Sequence, residues 1–265
     1  MEPHYPPQHI RRRAARRRKQ RRVLVFLLFA SRLTGGWLLG RYADFIRAAA
    51  HPGVYAVAVD AGHGGSDTGA EGVIQESNMT AATAAALCAL LEQDPHFIVV
   101  NTRADYNTGA KPDERAKAAN AKHADLLLSI HGNADASPDT HGFECYPVTP
   151  GHRRHEASLH FAECLASEME SAGAHLRAKN GIRYAYYKNG NTKTLVDSSD
   201  DTVRSAPTFG ILEHADCPAV LAEQCFVTSP ADVDAFGDED GCAAAAACYY
   251  RAICAYFGVK PAAAV

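Results

Sequence analysis

Apolar positions from residue 51 onward alternate between short β-branched runs and longer helical stripes. Val54–Val59 is a continuous apolar run that stops at Asp60-Ala-Gly-His-Gly-Gly, which predicts a buried strand entering a glycine-rich loop. With Asn78 as N-cap, a helix to about Glu92 places Met79, Ala82, Ala86, Leu87, Leu90 and Leu91 on one face. Phe97–Val100 predicts the next strand, Pro112 opens an Ala-rich helix to about His123, and Asp125–Ile130 predicts another buried strand. Phe143–Pro147 reads as a strand. Glu156–Ala172 reads as a helix with Leu159, Ala162, Leu165, Ala166 and Met169 inward, stopped by Gly173. Pro218–Glu223 is the last strand; Ser229-Pro230 starts a short helix and Cys242–Phe257 a closing one. This alternation predicts a single α/β domain over 54–258, a twisted, mostly parallel or mixed sheet with helices on both faces. Residues 187–206 are polar and poorly periodic and predict a long surface loop, a segment type that is often functional. No internal repeat is visible, and the tail 259–265 is expected to fray.

Charge separates a different N-terminal piece from this domain. The whole chain of 265 residues has a formal net charge of −3, from 27 Lys+Arg and 30 Asp+Glu. Residues 1–50 hold twelve bases and two acids, a net of +10, which leaves fifteen bases and twenty-eight acids, a net of −13, for 51–265. The acidic part is long enough for one sizeable core, and its sign excludes a nucleic-acid surface, which needs clustered positive charge. Residues 11–22, RRRAARRRKQRR, run directly into VLVFLLFASRLTGGWLLG at 23–40. A basic run before an apolar stretch is the pattern of an export signal or membrane anchor, with the basic flank kept in the cytoplasm. Val23–Ala30 suits a secretory apolar region; carried on to Leu39 the stretch approaches a span, though Arg32 near its middle costs roughly 2.5–3.5 kcal/mol on insertion scales. The organisation expected is therefore a basic cytoplasmic segment 1–22, an h-region or membrane anchor 23–40, a linker 41–53 and an exported domain. The eight cysteines show no CxxC, several fall in helical stretches, and most read as small buried apolar residues.

Candidate chemistry gathers at strand ends. His63 follows the first strand, His131 follows the strand 125–130, and Glu223 ends the strand 218–223. If these strands are parallel neighbours, all three emerge at the carboxyl edge of one sheet, where α/β proteins build their sites. Glu76, thirteen residues after His63, can be folded back beside it by the loop containing glycines 62, 64, 65, 69 and 72. Two neutral imidazoles and a carboxylate suit Zn²⁺ with one position open to water, and a nearby carboxylate can take that water's proton. GHGGSD lacks the third glycine of GxGxxG and has no P-loop lysine, so no nucleotide or other organic cofactor is expected. Glu223 within VLAEQCF stands out, because an unpaired buried charge costs several kcal/mol.

DAGHGGSDTGAEG followed by Glu76, then SIHGNA, then PAVLAEQCFVTS, resembles the zinc-dependent N-acetylmuramoyl-L-alanine amidases of bacteria, the Amidase-3 type. RAKAANAKHADLLLSIHGNAD at 115–135 is similar to the same family, and the resemblance runs from about Val54 to Phe257. It implies a cell-wall hydrolase that cleaves the amide between the muramic acid lactyl group and L-alanine in peptidoglycan, its partner outside the cell. It also implies His63, Glu76 and His131 as ligands of one Zn²⁺, and Glu223 as the carboxylate that takes the water's proton and returns it to the departing amine. Asn133 and Arg103 are candidate supporting groups; Glu213 and His214, near the last strand, read as structural. The family's frequent Gly-Phe after the catalytic Glu is Gln224-Cys225-Phe226 here, which leaves the acid intact, and the short segment from His131 to Gly142 has no room for a long inhibitory helix. A non-catalytic wall-binding or regulatory protein on the same fold, or another zinc peptidase or deacetylase, are the alternatives; a binder has no need of all four groups.

Overall fold

A computed structural model describes residues 53–263 except 107 and 189–191. The expected cytoplasmic segment, anchor and linker lie, up to residue 52, outside the described residues. Within them, β1 (Tyr55–Ala61), β2 (Phe97–Asn101), β3 (Leu126–Asn133) and β7 (Ala219–Phe226) form parallel ladders, and β4 (Glu144–Pro147) adds an antiparallel edge. Their order is β2-β1-β3-β7-β4, the mostly parallel sheet expected of alternating strands and helices.

Both faces are covered, which is why β1 and β7 are apolar almost throughout rather than alternating. Val57, Val59, Leu128, Ile130, Val220 and Ala222 face the larger core. That core takes side chains from α1 (Glu76–Glu92), α3 (His155–Ser171) and α6 (Glu239–Phe257), and Phe236 from α5 (Pro230–Phe236). Ala56, Ala58, Leu127, Ala219 and Leu221 face the smaller core, closed by α2 (Pro112–Ala121) and α4 (Gly210–His214). Strand alternation puts Asp60, Ser129, His131 and Glu223 on this second side, polar positions continuing apolar rows. All eight cysteines are free; seven are buried and Cys164 is partly exposed. No helix among the described residues is long and apolar enough to cross a membrane.

The structure corrects several local expectations. The first helix begins at Glu76, with extended Gln75 as N-cap, not at Asn78; this places an acidic side chain in the first turn, where the helix dipole favours it. Strands β3 and β7 run on to Asn133 and Phe226, so His131 sits within its strand rather than after it and Glu223 within its strand rather than at its end. Part of the loop expected at 187–206 is instead the end of β5 (Arg183–Lys188) and all of β6 (Thr192–Asp197), an antiparallel hairpin, while 198–206 carry no helix or strand. Its second strand presents Thr192 and Lys193 to solvent and carries no apolar run, so periodicity missed it. The sequence pair Asn189-Gly190 is of the kind that signals a hairpin, and periodicity alone gives it no weight. The tail does not fray up to Ala263: Ala262 N–H donates to Tyr250 Oη at 2.8 Å and to Asp94 Oδ2 at 3.1 Å, and Ala263 is buried.

Candidate metal centre and catalytic cleft

The loop after β1 is built around His63. Gly62 N–H donates to Ile130 O at 2.7 Å, and a Cβ on Gly62 would run into the His131 ring, so the two strand ends approach only because residue 62 is glycine. His63 itself has φ +59°, a left-handed conformation unfavourable for a side-chain-bearing residue. Arg103 holds it there: one guanidinium nitrogen donates to His63 O and, at 3.1 Å, to Thr108 O, and the other donates to Ala61 O. Asp67 Oδ1 lies 3.0 Å from His63 Nδ1 and accepts Gly69 N–H at 3.2 Å, which leaves Nε2 turned inward.

Glu76 is where the three predicted ligands meet. Its Oε1 lies 3.0 Å from His63 Nε2 and 3.0 Å from His131 Nδ1, and accepts Gly132 N–H at 2.9 Å. Its Oε2 accepts Ala70 N–H at 2.8 Å. A Cβ on Gly69 would sit 2.6 Å from Glu76 Oε2, so the loop closes over the carboxylate only with glycine there. Burial opposes the Glu76 charge, but His131 and His63 outweigh it and hold the carboxyl far below the usual carboxylate range. Burial likewise lowers His63, yet Glu76 and then Asp67 raise it to about 8.

One donor atom from each of the three residues lies within 4.8 Å of the others. Two imidazoles and one carboxylate are the donor types of a zinc site with an open position; Asp67 orients His63, and the Ala70 and Gly132 amides orient Glu76. Bonds of about 2.0–2.2 Å would draw all three donors onto one small cation. The residues fit the group.

Glu223 lies on β7 in register with His131 on β3 and with Glu144 on β4. It is 9% exposed, and its Oε2 has no hydrogen-bond partner among the described residues. Burial pushes its carboxyl up to about 8, Glu76 adds to the shift, and Lys193 partly offsets it. An uncommitted, poised carboxylate beside a cluster of metal-type donors is equipped to move a proton.

The two candidate supporting groups serve the frame. Arg103 lies under the His63 loop as described. Asn133 Nδ2 donates to Glu144 Oε1 at 2.7 Å, and its Oδ1 accepts Ala134 N–H at 2.9 Å. Glu213 and His214 are in α4 and structural: Glu213 accepts Thr208 N–H at 2.7 Å, and His214 O accepts from Asn120 at 2.8 Å. Sequence reasoning missed Asp67, Asp60 and Glu144. Asp60, wholly buried, pairs with Arg115 of α2 and accepts from Thr102 Oγ1 at 2.5 Å and Ser129 Oγ at 2.7 Å, which ties β1 to β3, to α2 and to the residue after β2. Glu144 accepts from Tyr146 Oη at 2.8 Å and Arg183 at 3.0 Å, with Arg177 Nε 3.3 Å away. The argument that singled out Glu223, a carboxylate inside an apolar strand, applies equally to Glu144 in GFECY.

Comparison with known proteins follows the same residues. The family model described as "Amidase_3: N-acetylmuramoyl-L-alanine amidase" matches residues 57–255. A probable N-acetylmuramoyl-L-alanine amidase, AmiB of Haemophilus influenzae, is 30% identical over 197 residues, 65% of this chain and 45% of that protein. A putative amidase of the same description from Buchnera aphidicola is 27% identical over 188 residues, 66% of this chain and 83% of its own. The chain thus spans about half the length of the Haemophilus relative. Among solved structures, the catalytic domain of CwlV, an amidase from Bacillus (Paenibacillus) polymyxa var. colistinus, superposes with a TM-score of 0.62 at 28% identity, covering 78% of this chain and all of that one.

Proposed function

We infer the activity from one premise: this chain belongs to the Amidase_3 family of N-acetylmuramoyl-L-alanine amidases. We propose that it hydrolyses the amide between the lactyl group of N-acetylmuramic acid and L-alanine in peptidoglycan. The observation that carries this is the free Glu223 carboxylate in strand register beside His131, next to the His63–Glu76–His131 cluster. In this proposal His63, Glu76 and His131 hold one Zn²⁺. When bound, the ion supplies a Lewis acid that makes water nucleophilic at neutral pH and stabilises charge on the carbonyl oxygen.

The protein's own groups do the rest. Asp67 accepts at His63 Nδ1 and keeps Nε2 free for the metal side. Glu76 is anchored by the Ala70 and Gly132 amides, so its carboxylate needs no reorganisation. Glu223 takes a proton from the attacking water and delivers it to the departing nitrogen as the carbon–nitrogen bond breaks. Its Oε2, buried and without a hydrogen-bond partner among the described residues, is free to take up that proton and return it. The substrate lies outside the cytoplasm, so the domain is proposed to act there, delivered by the basic and apolar segment 1–40.

Muropeptide digestion tests the proposal. The purified chain should release peptide with a new free L-alanine amine, chelation should abolish this, and Zn²⁺ should restore it. Glu223→Gln should keep its zinc and lose about 10²–10⁴-fold in turnover. Normal turnover by that variant would remove Glu223 from its role. Bound zinc without hydrolysis would leave a wall-binding protein, and product lacking the new amine would mean a peptidase or deacetylase.

A further inference from the structure

Two thiols meet one methionine in the larger core, and no step above uses any of the three. Cys225 Sγ on β7 donates to Met79 Sδ on α1 at 3.5 Å. Cys242 Sγ on α6 donates to Met79 O at 3.7 Å and to Gly237 O at 3.4 Å. All three side chains are buried. Cys242 thus gives its S–H to carbonyl oxygens, as a buried thiol ordinarily does. Cys225 gives its own to a thioether, a weak acceptor. Cys225 also falls in Gln224-Cys225-Phe226, the segment where this chain departs from the family's frequent Gly-Phe.

Thiolate and thioether are the soft ligands that select Cu(I). An S–H bond to a thioether is weak, so little is lost when a metal replaces that proton. Burial pushes the Cys225 thiol up, because a bare thiolate is costly in the core. A monovalent cation removes this obstacle, since one thiolate, one thioether and one positive charge are together neutral. While Cys242 keeps its proton for its two carbonyls, a divalent ion would leave a net charge in apolar surroundings. Two sulfur–metal bonds of about 2.3 Å, the zinc–sulfur length, fit the present separation when bent, and the flexible Met79 side chain allows a wider angle. We propose that Cys225 and Met79 form a binding site for a monovalent soft cation, Cu(I) or its analogue Ag(I), with the Cys242 thiol beside it. Binding breaks the Cys225 S–H bond, releases one proton to solvent, forms a sulfur–metal bond there and adds a dative bond from Met79 Sδ; no electron is transferred. The site is distinct from His63, Glu76 and His131 but adjoins them: a Cβ on Gly132 would lie 2.9 Å from Met79 Cε and 3.3 Å from Glu76 Cγ. It does not depend on the amidase activity.

The test is anaerobic titration of the full chain, with Zn²⁺ present, against Cu(I) buffered by a bathocuproine-type chelator. Each point is followed to equilibrium, because a buried pair is reached only as the fold opens. Wild type should take up one tight equivalent. Met79→Leu, which nearly conserves volume, should bind it at least about 10- to 100-fold more weakly, the loss expected from removing even an orienting group. Cys225→Ala should lose the tight equivalent, and Cys164→Ser, at the partly exposed thiol, should keep it. No tight equivalent in wild type, equal affinity in Met79→Leu, retention in Cys225→Ala or loss in Cys164→Ser would each overturn the assignment. X-ray absorption on the copper-loaded wild type needs no variant. It should show sulfur alone around the metal, and a nitrogen or oxygen ligand refutes the site.

Discussion

His63 combines a left-handed backbone with a three-acceptor guanidinium clamp, so the position of its ring depends on Arg103. Arg103→Met should fold, since the stem still packs, but lower metal affinity about 10- to 100-fold, as loss of orienting groups does; competition with a zinc chelator measures it. Gly62→Ala should be worse, because its methyl displaces the His131 ring. Proton linkage gives a further prediction for the metal-free protein. His63 is raised from 6.5 to about 8, so its stabilising contribution is full below pH 6.5 and is lost as pH rises through 8. Glu223, raised from 4.5 to about 8, binds its proton more tightly folded than unfolded, and so also lowers stability as pH rises over that interval. Glu76, held low, contributes stability above pH 4.5 and is flat between 6.5 and 8. The metal-free melting temperature should therefore fall between pH 6.5 and 8, a fall that is shallower in Glu223→Gln. Zinc, which needs neutral imidazoles, should reverse the trend.

At the scale of elements, one buried carboxylate, Glu144, is among the groups that join the hairpin to the sheet. Glu144→Ala leaves Arg183 and Arg177 without it; because their side chains are 24% and 29% exposed, the cost should be about 1–3 kcal/mol, read by urea unfolding. The parallel strands were legible because strands buried on both faces leave a continuous apolar run, as in VYAVAV and LLLSI. The candidate site was legible because His131 and Glu223 interrupt those runs toward the carboxyl ends of the strands, and the resemblance then implied their roles. The hairpin was not, since a strand pair with one wet face needs alternation, and Thr192–Asp197 has little. Asp67 was illegible as a positioning group, and Arg103 legible only as a supporting group without a stated partner, for another reason. Each acts through a loop conformation, His63 at positive φ, that no local pattern announces.

Over the whole molecule, the proposed metal centre would tie the loop after β1 to α1 and β3, so its occupancy should be felt globally. A ligand that binds only the folded chain at about a thousand times its Kd adds about 4 kcal/mol, and at about 2–4 °C per kcal/mol for a domain near 200 residues this raises Tm by about 8–16 °C. Calorimetry with and without Zn²⁺ checks it; an unchanged Tm would mean no tight site. The second global feature is the set of eight unpaired thiols. Burial raises the Cys88, Cys217 and Cys254 thiols to between about 11 and 12 and the Cys145 and Cys225 thiols higher still, so nucleophilic thiolate is scarce while the fold is closed. The domain thus carries its own stopwatch. An alkylating reagent should tag one residue, Cys164, at once and the other seven only as fast as the molecule opens. Mass counting of labelled chains against time would then clock each variant above, with the wall substrate absent and no activity required.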